Sequence, residues 1–101
     1  MKLIIITAVK EFEKDIIRIL KNSDITIFSY NEIIGYRNIP REANIDNWFP
    51  GERKENKSIM FYAFVKKEET DELFERIKVF NEKQESLSKI HISILNIEKS
   101  N

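Results

Sequence analysis

Arg37, Arg41, Arg53 and Lys54 are the side chains of this sequence best suited to hold an anion, because guanidinium and ammonium groups donate charge-assisted hydrogen bonds to phosphate and carboxylate oxygens. Glu42, Glu52 and Glu55 are interleaved with them, and that mixture is also the pattern of a solvated surface of alternating charge. The only tryptophan, Trp48, stands beside Phe49 in the same stretch. A large aromatic pair in polar surroundings is either an anchor presented to a partner or a plug that packs its own loop down. His91, the only histidine, lies between Ile90 and Ile92, a strand-like setting that favours a structural or surface role over metal ligation. Asp46, Glu42 and Glu52 lack the regular alternation of an EF-hand loop, so no metal is expected. There is no Ser-His-Asp order, nucleophile elbow, Walker loop or GxGxxG. With no cysteine and two glycines in the whole chain, a cysteine nucleophile, a disulfide framework and a glycine-rich phosphate cradle are excluded. No enzymatic activity is expected.

Most of the candidate anion and partner contacts fall in one irregular segment, Asn38 to Lys57, which also holds both prolines and one of the two glycines. A structureless stretch of that length is uncommon in a compact domain and usually marks a functional loop. Its meaning depends on the elements that flank it. Leu3 to Val9 is β-branched with apolar residues at both parities, the pattern of a strand covered on both faces. From Glu11 the period changes: Phe12, Ile16, Ile19 and Leu20 form one stripe of an amphipathic helix, opposite Glu11, Lys14, Arg18 and Lys21. Asn22-Ser23-Asp24 breaks the helix, and a second strand is expected from Ile25 to about Tyr36.

Ser58 to Lys67, SIMFYAFVKK, reads as a third strand. A second helix is expected to be capped by Thr70, with Asp71 and Glu72 near its positive end and Leu73, Ile77 and Phe80 as its buried stripe beside Phe74. Ile90 to Ile97 closes the sheet, and residues 98–101 form a frayed tail. The whole chain, 1–101, therefore reads as one α+β domain of ferredoxin-like β-α-β-β-α-β order, a four-stranded antiparallel sheet with two helices on one face and a long loop between strands 2 and 3. Right-handed crossovers put the first and third strands in the centre.

Seventeen basic residues balance seventeen acidic ones, which leaves no net field to draw in nucleic acid or an anionic membrane. MKLIIITAV has no cleavage site after it, and nothing approaches the roughly 20 apolar residues that span a bilayer, so no membrane insertion is expected. The absence of cysteine fits a cytoplasmic location. Two helices cover one sheet face, yet Met60, Tyr62 and Phe64 point to the other. An apolar face of that size calls for a second subunit, so a homo-oligomer built sheet to sheet is expected.

A ferredoxin-like chain of this length, with SYNEIIGYRN before a long loop and a β-branched, aromatic strand after it, resembles the nitrogen-regulatory PII and PII-like signalling proteins. The resemblance implies a homotrimer whose long loop, the T-loop, matches 38–57 here. It further implies that a nucleotide or other small anionic effector binds in the cleft between subunits at the loop's base. Gly35 and Arg37 of GYR would stand at that base. Lys89 ends EKQESLSK, which takes the place of the family's glycine-rich turn and has no glycine. That departure, and the lack of a counterpart to the basic residues that the family's classical members place after the last strand, argue against ATP and 2-oxoglutarate as the sensed pair. They leave another effector, or docking alone. Arg41, Trp48, Phe49 and Arg53 would then meet a membrane transporter or metabolic enzyme. Two alternatives share the element order: a CutA-type divalent-cation-tolerance protein and a dimeric α+β-barrel enzyme of the small monooxygenase type.

Overall fold

The computed structural model describes residues 1–36 and 55–101. Strand β1 spans Lys2–Val9, followed by a 3₁₀ turn at Lys10–Phe12 and helix α1 at Glu13–Asn22. Strand β2 is Ser29–Tyr36, β3 is Glu55–Val65, helix α2 is Lys67–Lys83 and β4 is His91–Asn96. The strands form one sheet in the order β2-β3-β1-β4, every pairing antiparallel, with β1 and β3 central as the crossover rule requires. This is the ferredoxin-like α+β arrangement expected from the sequence.

Alternation along the central strands decides what is core. Ile4, Ile6 and Ala8 of β1 and Ile59, Phe61, Ala63 and Val65 of β3 are buried beneath Ile16 and Leu20 of α1 and Leu73 and Ile77 of α2. Each of the isoleucine, leucine, valine and phenylalanine side chains contributes about 1.5–3 kcal/mol by leaving water. Phe12 and Phe80 meet edge to face, 5.2 Å between ring centroids, and join the start of the first helical segment to the end of α2.

Several boundaries differ from the sequence reading, each for a local reason. The second strand begins at Ser29 rather than Ile25, because Ile25 belongs to the end of α1. Its amide donates to the Leu20 carbonyl while the Asp24 amide donates to that of Lys21, the paired bonds of a Schellman cap, with Ile25 buried. Asp24 takes the left-handed position, φ 62°, that glycine occupies more cheaply. Asp24→Gly is therefore expected to leave stability unchanged or raise it by up to about 1 kcal/mol, whereas a β-branched Asp24→Val lowers it by about 1–2 kcal/mol in thermal unfolding.

Helix α2 starts at Lys67 instead of at a Thr70 cap. The Glu69 carboxylate reaches back to accept from the Lys66 amide at 2.9 Å, fixing the start a turn earlier. Thr70 is inside the helix, buried, its hydroxyl donating to the Lys67 carbonyl. The third strand begins at Glu55, so Glu55, Asn56 and Lys57 of the expected 38–57 segment pair with β2 and extend the hairpin ladder. Among the described residues, no helix is long and apolar enough to cross a membrane.

Candidate functional site

Four chain positions meet at one end of the sheet: Gly35 of β2 is paired with Asn56, Val9 with Ser58, and Thr7 with His91. The end of β2, the beginning of β3, the end of β1 and the beginning of β4 therefore share this rim. Gly35, half-buried, is on the face away from the helices, and Tyr36 closes β2 beside it. Arg37, Arg41, Trp48, Phe49 and Arg53 lie outside the described residues.

Lys89 stands at the opposite edge. Its ammonium donates to the Asn81 carbonyl at 2.8 Å, where a cation meets the negative end of α2. The Asn81 amide makes a second, more specific contact: its nitrogen donates to the Ile90 carbonyl at 2.9 Å and its oxygen accepts from the Ile90 amide at 2.8 Å. One side chain thus satisfies both backbone groups of a residue entering β4, as a neighbouring strand would, and sets where Lys89 and His91 emerge. The sequence reading did not pick out Asn81. A polar residue late in an amphipathic helix carries no periodic signal that it will grip a backbone nine residues on.

Between α2 and β4 runs an open groove of about 440 Å³, with Ile77, Ile90 and Ile92 in its floor, Phe74 and Lys78 along the helix side, and Lys89 and His91 at the rim. Gly35 and Lys89, both expected at a ligand site, are not brought together within one chain. They belong to opposite edges of the sheet, and three strand spacings separate β2 from β4, about 14 Å.

Across the helix-side face, Lys10 donates to Glu32 of β2 at 2.7 Å. The hydrogen bond and the charge of Lys10 hold the Glu32 carboxyl below its ordinary 4.5, and the same contact holds the Lys10 ammonium above 10.5. Glu32 has the lowered folded-state value, so its contribution is present above the unfolded pKa and lost as pH falls through the folded one. Lys10 has the raised value, so the alkaline loss comes only as pH rises through its folded pKa. Lys10→Met is expected to return the Glu32 midpoint toward 4.5 in an NMR titration. A midpoint unmoved by the substitution would show that the pair is not formed in solution. Among the described residues no three His, Cys, Asp or Glu side chains are grouped as a metal would need.

No family model and no curated protein matches the chain. Solved structures do. A protein of Thermus thermophilus described as a PII-like signalling protein superposes with a TM-score of 0.62 over 95% of this chain and 85% of its own, at 16% identity. The chain has a PII-like fold. A DUF3240 family protein from Shewanella baltica superposes with a TM-score of 0.66 over 99% of this chain and 92% of its own, at 13% identity. At such identities the likeness is one of backbone architecture, and it extends over nearly the full length of the PII-like sheet and helices.

Proposed function

We propose that the chain is a non-enzymatic, cytoplasmic PII-like regulator: a homotrimer that binds a small anionic effector in the cleft between subunits and docks onto a transporter or enzyme through segment 38–57. The observation that carries this reading is the sheet face away from the helices. Leu3 and Ile5 of β1, Met60, Tyr62 and Phe64 of β3 and Leu95 of β4 share it, and Phe64 is 59% exposed in the single chain. A contiguous apolar face of this kind is the mark of an association surface.

The same reading accounts for the separation of Gly35 from Lys89. A ligand that needs both ends must take one from each of two neighbouring copies, and Arg37 follows Gly35 by two positions in the sequence. Lys89 has three donors, so it can keep the Asn81 carbonyl and still meet an anion. Arg41, Trp48, Phe49 and Arg53 are then the docking contacts.

Sedimentation of the full chain at micromolar concentration should report a trimer. Limited proteolysis within 38–57, repeated with adenine nucleotides, cyclic dinucleotides and bicarbonate, should find one ligand that slows cleavage, and Arg37→Ala or Lys89→Ala should remove that protection. A monomer would overturn the assembly. A trimer that none of these anions protects would overturn the effector while leaving the assembly standing.

A further inference from the structure

The groove between α2 and β4 combines an apolar floor with a cationic rim. Leu73 and Ile77, fully buried, already anchor α2 to the sheet, yet Phe74 lies on the flank of that helix facing β4 with 48% of its surface exposed. Ile77, Ile90 and Ile92 continue the apolar surface beneath it. At about 440 Å³ the groove falls within the range of small-molecule sites, about 300–1,000 Å³. The backbone groups of Ile90 in this floor are already spent, because its amide and carbonyl are both bonded to the Asn81 side chain, at 2.8 and 2.9 Å. A nucleobase laid there would give up hydrogen bonds to water and gain none from Ile90, a loss that a hydrocarbon does not suffer.

The rim has the opposite character. Lys78 and Lys89 line it against a single carboxylate, Glu82, and among the described residues neither lysine is in an ion pair. Lys89 is held in place by the Asn81 carbonyl with donors to spare, and it offsets the negative end of α2. We propose that this groove binds a medium-chain aliphatic carboxylate, its hydrocarbon chain on Phe74, Ile77 and Ile92 and its carboxylate at Lys89. Charge and apolarity both match that one class of ligand. The site lies within a single chain and goes beyond the regulator reading above: it needs neither Gly35 nor a second copy, and Lys89 is the one residue common to both.

Octanoate, titrated into the full chain below its micelle concentration, should shift the methyl NMR signals of Ile77, Ile90 and Ile92 and leave those of the core residues Ile4 and Ile59 in place. From butanoate to octanoate, affinity should rise about fourfold per methylene. Octan-1-ol should bind about tenfold more weakly than octanoate, for want of a charged acceptor. Lys89→Gln should bring octanoate to the level of octanol and leave octanol unchanged, a split that a merely structural lysine would not produce. Phe74→Glu, at an exposed position that the fold tolerates, should abolish binding of both. Phe64→Glu should bind octanoate as the wild type does, whatever its oligomeric state, so failure of the assembly and failure of this site are read separately. Methyl signals unmoved at millimolar octanoate, an affinity indifferent to chain length or to Lys89→Gln, or adenosine monophosphate shifting the same three methyls as strongly, would overturn the site. So would loss of octanoate binding in a monomeric Phe64→Glu variant, since the groove would then need a neighbour.

Discussion

Phe64→Glu is expected to yield a folded chain that sediments as a monomer. Phe64 pairs with Leu3 on the open sheet face, and its neighbours on that face are Leu95, through Leu3, and Tyr62 along its own strand. In the single chain its ring already meets water, so the carboxylate costs the fold itself little. In the assembly it would be an unpaired charge in an apolar contact, at about 3–5 kcal/mol. That weakens association by about a hundredfold to several thousandfold. Phe64→Ser, which removes the ring without adding charge, should shift the equilibrium less. Light scattering over a dilution series, with far-UV circular dichroism on the same samples, reads both consequences. A variant that keeps the wild-type mass would mean that the open face is not the contact. If wild-type and variant are both monomeric, the face has no homomeric role at all.

Much of this fold was legible because alternation and helical period report burial directly. Ile4 and Ile6 are core, Leu3 and Ile5 face the other way, and Ile16 with Leu20 seals one side. The discrepancies arise where a side chain or a neighbouring strand, rather than propensity, ends an element. Glu69 folds back on the Lys66 amide, Ile25 is captured by the end of α1, and polar Glu55 to Lys57 are held in β3 by the ladder they share with β2. Local sequence carries no periodic trace of such contacts. The site is less legible for a related reason. Gly35 could be placed at the end of a strand and Lys89 before another, but their positions on opposite edges follow from strand order. The Asn81 clamp depends on a helix and a strand meeting across a loop.

Phe61→Ala should be the most damaging single substitution for the fold, although it lies between two residues that face the opposite side. Phe61 is 1% exposed, stacks on Tyr30 at 4.8 Å between ring centroids and meets Phe28 at 5.8 Å. Truncation removes the transfer free energy of the ring and leaves a void that Ile59, Ala63 and the helices cannot close without moving. Such changes cost about 3–5 kcal/mol. The Tyr30 contact is an aromatic pair of the kind worth about 0.5–1.5 kcal/mol beyond its area, and it goes with the ring. Against a domain stability of about 5–15 kcal/mol, the loss brings the chain near its unfolding threshold. Phe61→Leu keeps part of the volume and should cost about 1–2 kcal/mol. Denaturant midpoints must be compared at one protomer concentration, since any assembly of the kind proposed would add stability by mass action. The contrast with the next residue is the decisive measurement, because strand alternation separates the two roles: in the monomeric Phe64→Glu background, Phe61→Ala should still unfold the chain early, while Tyr62→Ala should hardly move the midpoint. A loss below about 1 kcal/mol at Phe61, or equal losses at both, would mean that the face assigned to the helices is not the one that holds the fold together.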